Sequence, residues 1–119
     1  MAVHSNEIII NTIKKMLGID EDYNAFDKEL LFFINSAIME LSQLGVGSPD
    51  FQITEDGFET WSDFLNNSAA NGLLNGAQEF IYIKTRLIFD PPNSGYVTSA
   101  FQKKLEELTW RLRVQIDGD

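Results

Sequence analysis

Apolar residues recur at helical spacing in four segments of the chain, and glycine, proline or short polar runs separate these segments. The spacing predicts helices over residues 7–17, 27–44, 77–89 and 99–115. On the last helix one arc about 80° wide collects five apolar side chains, Phe101, Leu105, Leu108, Leu112 and Ile116. Isolated helices of this length are marginal in water, so packing along such arcs must hold them together.

The predicted helix ends follow from local backbone chemistry. Gly18 and Gly45 stand after the first and second helices, where the chain needs a left-handed residue. Pro91 and Pro92 end the third helix, because proline lacks a backbone donor and crowds the preceding turn. Together with Asp90 they form a predicted joint that presets the angle between the third and fourth helices. An ordinary helix stop is the alternative.

Residues 45–75 form the longest irregular stretch of the predicted fold. Residues 60–67 within it suit one or two helical turns, and residues 71–76 are predicted to be a glycine-bounded connector. Glycine, serine and asparagine punctuate the stretch, which predicts mobility in the isolated chain. The predicted fold class is therefore all-α, a small bundle of about four helices with a long acidic loop excursion between the second and third. The length fits a single domain, residues 1–119.

Two helices carry apolar residues opposite their core faces. Trp110 lies about 180° from Phe101 on the fourth helix, and Val114 lies close to it. Phe32 and Met39 are placed in the same way on the second helix. One small domain has limited means of covering such faces, so we expect them to contact another protein.

The full predicted interface joins these four residues to two aromatic residues of the excursion and three basic residues of the fourth helix. It consists of Phe32, Met39, Trp61, Phe64, Lys103, Trp110, Arg111, Arg113 and Val114. The alternative is that the excursion covers Trp110 and the first helix covers Phe32. Lys84 falls within the apolar arc of the third helix, and we expect its ammonium group to reach solvent. An ion pair with an acid of a neighbouring subunit is the alternative.

Charge is segregated along the chain. The net charge is −9, and residues 20–63 hold eleven acids and one base, whereas residues 79–115 hold four acids and six bases. This segregation would let the acidic flank of one copy meet the basic flank of another. The alternative is that the acids serve solubility alone. In either case a net-acidic domain is unsuited to tight binding of nucleic acid phosphates.

Composition excludes several classes of protein. The chain is 44% hydrophobic and 23% charged, as in a soluble globular domain. It has no apolar run of the roughly 20 residues that a membrane-spanning helix requires. Its first residues lack the pattern of an export signal, so we expect a cytoplasmic product. Cysteine is absent, which excludes disulfides, thiolate metal sites and a cysteine nucleophile.

Motifs for catalysis or metal binding do not emerge from the sequence. Asp20, Asp22 and Asn24 fit the first three ligand positions of a calcium loop, but Leu31 stands where its bidentate glutamate is required. His4 is the only histidine and lies in a terminus that we expect to be frayed, which excludes both a Ser-His-Asp triad and a multi-histidine metal site. No glycine spacing matches a phosphate-binding loop. We therefore predict no catalytic, metal or cofactor-binding residues, no cofactor, and no enzymatic activity.

Four segments of the sequence are informative in combination: INSAIMELSQLGVG at 34–47, WSDFL at 61–65, IYIKTRLIFDPPNS at 81–94 and LEELTWRLRVQ at 105–115. In this order and spacing they resemble the small head-tail connector, or adaptor, proteins of tailed bacteriophages and prophages. The resemblance covers about residues 7–116. Each segment alone is a weak signature, and the combination is fairly specific.

The resemblance implies a structural, non-enzymatic protein. Members of this family are small helical domains that assemble into a ring, typically of about twelve copies, beneath the portal protein of a DNA-filled capsid. The ring extends the DNA channel and docks the next tail-side connector or stopper protein. The implied partners are therefore other copies, the portal and the tail-side protein, while double-stranded DNA passes without tight binding and no membrane is involved. The implied location is the virion after assembly and the host bacterial cytoplasm before it.

Two alternatives come from other functional classes. An acidic inhibitor or regulatory module could mimic DNA and bind a host nucleic-acid-binding protein, which would require carboxylates in paired rows at phosphate-like spacing. A carboxylate hydrolase would require one Asp or Glu whose replacement abolishes activity without altering the fold. Nothing in the sequence singles out one pair among its eighteen acids.

Overall fold

The computed structural model describes residues 7–65 and 71–117 of the chain. These two ranges form five helices, α1 Ile9–Leu17, α2 Asp27–Gln43, α3 Trp61–Leu65, α4 Asn71–Phe89 and α5 Gly95–Asp117. The only β pairing in the described ranges is an isolated antiparallel bridge between Ile8 and Thr60. The predicted all-α class is confirmed, and α3 is the short helical turn expected within the excursion. Among the helices of these ranges, none has both the length and the apolar content needed to cross a membrane.

The first two helices end at the glycines that the sequence indicated. Gly18 and Gly45 have φ angles of 80° and 94°, in the left-handed region that glycine adopts without strain. Beyond each glycine the chain bonds back to the last helical turn. The Ile19 amide donates to the Lys14 carbonyl at 2.8 Å, and the Val46 amide closes α2 in the same way at 3.0 Å. These bonds satisfy carbonyl groups that a helix end leaves free.

The beginning of α4 corrects the prediction of a connector at residues 71–76. The helix starts at Asn71, six residues before the predicted start, and Leu73 and Leu74 are buried in the core. Gly76 lies against α5, where an added Cβ would stand 2.9 Å from Leu112 Cδ2. Burial of the leucines offsets the roughly 1 kcal/mol that a helical glycine costs. Gly76 thus allows α4 and α5 to approach closely. Residues 66–70 of the predicted excursion lie outside the described ranges.

The start of α5 also lies earlier than predicted, at Gly95 instead of residue 99. Ser94 caps this helix: its Oγ lies 3.2 Å from the Tyr96 amide and 3.4 Å from the Val97 amide. A serine oxygen in this position satisfies amides that the first turn leaves without partners. The sequence prediction overlooked this cap, and it therefore missed the first turn of the helix.

The longest helices form an antiparallel pair at the centre of the fold. Gly76 at one end of α4 lies beside Leu112, while the Arg86 guanidinium near the other end lies 5.4 Å from the Phe101 ring centroid. α4 also packs against α1 and α2, as the apolar residues around its circumference predict. The predicted core arc of α5 is fully buried at Leu112, but Ile116 at its end is 39% exposed.

Side-chain hydrogen bonds tie the excursion to α2. The Asn35 side chain donates to the Ile53 carbonyl at 3.0 Å and accepts from the Ile53 amide at 2.7 Å. Within the excursion, the Ser48 backbone amide donates to the Phe64 carbonyl at 2.8 Å. Val46 and Ile53 are buried in the common core. The excursion is therefore a packed segment in its described part.

The end of the excursion is also joined to α1. The Ile9 amide donates to the Glu59 carbonyl at 3.0 Å, and the Trp61 amide donates to the Glu7 carbonyl at 3.1 Å. The indole of Trp61 is fully buried and donates to Thr12 Oγ1 at 3.0 Å. Residues 46–65 therefore contact helices on two sides, and the predicted mobility remains a prediction for hydrogen exchange to test.

Candidate interaction surfaces

The outer side of α2 presents an exposed apolar face. Phe32 is 72% exposed and Met39 is 57% exposed, and the polar side chains of Ser36 and Gln43 lie beside them. We call these four residues the α2 face. Shallow cavities of about 340 and 390 Å³ border it, and Met39 and Gln52 line both of them. The face combines large apolar side chains with adjoining concave surface, which suits contact with another protein.

The outer side of α5 presents a second such face. Trp110 is 66% exposed and Val114 is 49% exposed, and Lys103 and Arg113 lie on the same side of the helix. We call these four residues the α5 face. Trp110 forms one wall of a groove of about 350 Å³. The lining of this groove comes from α2, α4 and α5, namely Glu40, Phe80, Lys84, Leu105, Glu106, Thr109, Trp110 and Arg113.

Exposure of both faces excludes one of the two interpretations of the sequence. The excursion does not cover Trp110, and α1 does not cover Phe32, so that alternative is wrong. Tryptophan and phenylalanine at this exposure leave a large apolar area in contact with water, at a cost that burial in a complex would remove.

Trp61 and Phe64 require a correction, since both were predicted to lie in the interface. Their side chains are fully buried in the core of the chain. Trp61 is fixed by its hydrogen bond to Thr12, and Phe64 packs against Phe51 with ring centroids 5.2 Å apart. Neither side chain is available at the surface described here, because each serves to attach the excursion to the helices.

Lys84 agrees with its prediction and not with the alternative. Its Nζ lies 3.0 Å from Glu40 Oε1, so the ion pair forms within the chain and not with a neighbouring subunit. Nζ lies 6.0 Å from the Phe80 ring centroid, and the side chain is one-third exposed, which agrees with an ammonium group that reaches solvent. At this exposure the pair contributes at most about 1 kcal/mol. It lies within the groove beside Trp110.

The cations of α5 fall into two groups. Arg111 lies 2.7 Å from Glu107, and Lys104 lies 3.9 Å from Glu79, so these charges are paired on the surface. Lys103 and Arg113 have no ion-pair partner among the described residues. The two cations that belong to the α5 face are therefore available to an outside carboxylate.

The surface next to the α2 face has the opposite charge. Residues 45–63 hold five acids and no base. Asp50 is among them, and it lines the same cavity as Met39. The two apolar faces therefore have unlike electrostatic surroundings, acidic at α2 and with free cations at α5.

The predicted joint at Asp90, Pro91 and Pro92 lies between α4 and α5. The Asp90 amide donates to the Arg86 carbonyl at 2.9 Å, and Arg86 Nε donates to the Asp90 carbonyl at 3.3 Å. Asp90 thus braces the end of α4 through its backbone. The prolines follow at once, and Ser94 then starts α5.

An aromatic cluster at this end of the bundle was missed by sequence reasoning. Tyr23 and Phe26 meet edge to face at 5.7 Å, and Phe26 meets Phe89 at 5.2 Å. Ile88, next to Phe89, is 60% exposed. The signal was present in the acidic segment before α2, where two aromatic residues stand among carboxylates, but that segment was interpreted only as a loop.

Tyr96 is a second residue that sequence reasoning missed. It is 86% exposed, and it lies within about 40° of Trp110 on α5. Since the predicted helix began at residue 99, Tyr96 was left out of the helical face. The Ser94 cap is the signal that would have placed it there.

Comparison with protein families gives this arrangement a biological context. Residues 9–119 match the family described as phage connector protein. The chain belongs to this family. Neither a curated protein nor a solved structure matched this connector. Family membership indicates a structural role in a phage particle, and both exposed faces lie within the matched range. Within its described residues the connector has no group of three or more His, Asp or Glu side chains placed to hold a metal ion.

Proposed function

We propose that this protein is a head-tail connector that assembles into a ring under the portal protein. The ring, of about twelve copies by resemblance, extends the DNA channel and docks a tail-side connector or stopper. The observation that carries the proposal is the exposure of two apolar faces, on α2 and on α5, in a chain of the phage connector family. The protein would reside in the host cytoplasm before assembly and in the virion afterwards.

A ring requires two unlike faces on each subunit. In a head-to-tail contact one face meets a different face of the next copy, and the series closes when the rotation is right. The α2 and α5 faces meet this requirement, since they belong to different helices and differ in their electrostatic surroundings. The aromatic cluster at the α4–α5 end offers further surface for the portal or the tail-side protein.

The energetics favour assembly on a template. Full burial of one large apolar side chain contributes about 1.5–3 kcal/mol. Association costs roughly 4–15 kcal/mol in lost freedom of motion. Each face supplies two exposed apolar anchors, Phe32 with Met39 and Trp110 with Val114, so a single contact leaves little surplus. We therefore expect weak association in the isolated protein and ring formation on the portal.

The net charge of −9 suits a channel component. Proteins bind DNA chiefly through lysine and arginine at phosphates, and tight binding along a channel would retard the passage of DNA. A ring of net-acidic subunits offers few such contacts. This property supports passage of double-stranded DNA without tight binding.

The proposal is tested by mixing the protein with its cognate portal and imaging the complex by electron microscopy. We expect a stoichiometric ring with the wild-type protein, and loss of most rings with Phe32→Ala or Trp110→Ala. Phe58→Ala is the matched control, since Phe58 is 72% exposed, as Phe32 is, but lies in the excursion. Absence of any association between the wild-type protein and its portal would overturn the proposal.

A further inference from the structure

We propose that the α2 face of one copy packs directly against the α5 face of the next copy. In this contact Phe32 and Met39 meet Trp110 and Val114, and Asp50 of the first copy approaches Lys103 and Arg113 of the second. The inference rests on the proposed ring and names the surfaces that form it. Its partner is thus a second copy of this chain.

The apolar parts of the two faces are complementary in kind. Phe32 and Met39 are highly exposed on α2. On α5, Trp110 borders the groove of about 350 Å³ that runs over α4. Protruding side chains from one copy and a groove beside an indole on the next permit the close packing on which interface energy depends.

Charge gives the contact its direction. Asp50 lies beside Met39, within a stretch of five acids and no base. Lys103 and Arg113 flank Trp110 and have no ion-pair partner in the described part of the chain, and they outnumber the one unpaired acid of the groove, Glu106. When the α2 face of one copy meets the α5 face of another, acids approach cations.

The same charges disfavour the two symmetric pairings. Two α2 faces in contact would bring together two surfaces on which Asp50 and Glu29 outnumber the one nearby base, Lys28. Two α5 faces would bring together two surfaces on which Lys103 and Arg113 outnumber the one unpaired acid among the described residues there, Glu106. Like charges across an interface oppose association, whereas opposite charges steer and orient it. Charge therefore favours the head-to-tail contact, which is the kind that generates a ring.

Disulfide trapping tests the contact directly, because the natural chain contains no cysteine. Ser36→Cys places one thiol on the α2 face, and Val114→Cys places another on the α5 face. The two variants are mixed under mild oxidation, with and without portal, and one carries a longer tag so that all three dimers separate on a denaturing gel. We expect the mixed dimer to form in several-fold excess over either homodimer.

The control replaces Ser36→Cys by Asn24→Cys, which places an exposed thiol in the loop before α2. Mixed dimers of Val114→Cys with Asn24→Cys measure random collision. Predominance of either homodimer would overturn the proposal in favour of a symmetric contact. Mixed dimers no more abundant than in the Asn24→Cys control would overturn it as well.

A double-mutant cycle tests the charge contact. Asp50→Asn removes one charge and keeps a residue type that tolerates the φ of 62° at this position. Arg113→Gln removes the other charge. We expect each change to lower the yield of mixed dimer several-fold, and the two together to lower it no further than one alone. Independent losses that multiply would show that these charges do not meet and would overturn this part of the proposal.

The two proposals fail in different ways. If the wild-type protein forms rings on the portal but Ser36→Cys and Val114→Cys form no mixed dimer, the connector function is retained and this contact is refuted. If the mixed dimer forms but the protein never associates with its portal, the contact is retained and the connector function is refuted.

Discussion

Lys14 is a cation buried at the junction of α1 and α2. Its side chain is 1% exposed, and Nζ donates to the Glu21 carbonyl at 2.9 Å and to Asp27 Oδ1 at 3.0 Å. A buried ammonium group is tolerated only when acceptors replace the water that it loses. These two acceptors therefore fix the loop after α1 against the first turn of α2.

Replacement of Lys14 should reveal the strength of this junction. We expect Lys14→Ala to lower the free energy of unfolding by about 1–3 kcal/mol, because two hydrogen bonds to a charged donor are lost in a buried site. Lys15→Ala is the matched control: Lys15 is 55% exposed and lies 3.6 Å from Glu21. Its replacement should change stability by less than about 0.5 kcal/mol. Urea denaturation measures both, and equal losses would contradict the assignment.

Glycines at residues 18 and 47 allow backbone strain to be separated from steric overlap. Both have positive φ, 80° for Gly18 and 78° for Gly47. A Cβ at Gly18 would meet no atom within 4 Å, whereas a Cβ at Gly47 would overlap the Phe64 ring. Gly18→Ala should therefore cost about 1–2 kcal/mol from conformation alone. Gly47→Ala should cost at least about 1 kcal/mol more in denaturant titrations. Similar losses for the two would show that the excursion yields freely around Phe64.

At the scale of elements, the attachment of the excursion to α2 depends on one side chain. Asn35 bonds both backbone groups of Ile53, in the manner of a neighbouring strand. Most of the remaining support comes from buried apolar side chains, among them Ile53 and Phe64. The two hydrogen bonds of Asn35 therefore set how readily the excursion opens locally.

Hydrogen exchange tests this attachment. In the wild-type protein we expect the Ile53 amide to be protected. Asn35→Ala should increase its exchange rate roughly tenfold or more, as the loss of about 1.4 kcal/mol implies. Ser36→Ala is the control, since Ser36 is exposed and makes no contact of this kind. Fast exchange of the Ile53 amide in the wild-type protein would instead support the mobility that composition predicts for the excursion.

Local chemistry explains which elements the sequence predicts. The ends of α1 and α2 were predictable because Gly18 and Gly45 act on their own backbone. The start of α4 was not, since residues 71–76 include two glycines and Gly76 packs against Leu112, a residue far along the chain. Trp61 and Phe64 were misplaced for the same reason. Aromatic residues in an irregular segment show no period that separates core from surface. By contrast, Phe32 and Trp110 were predictable because helical period alone sets them opposite the core.

For the whole molecule, the exposed faces and the core should respond differently to substitution. Trp110→Ala should leave the free energy of unfolding within about 0.5 kcal/mol of wild type, because the side chain contacts little within the chain. Leu112→Ala, two positions along the same helix, should cost about 2–5 kcal/mol, since Leu112 is 1% exposed. Chemical denaturation of the monomer compares the two variants. A large loss for Trp110→Ala would mean that this residue serves the fold and not an interface.

The hydrogen bond between Trp61 and Thr12 joins residues 49 positions apart. Closing so long a loop is entropically costly, whereas α4 and α5 can pair progressively from the turn between them. We therefore expect the α4–α5 pair to form early in folding and α1 to dock late. Ile83→Val and Ile13→Val make a matched comparison, as both side chains are buried. The first should mainly slow folding and the second should mainly accelerate unfolding in stopped-flow experiments.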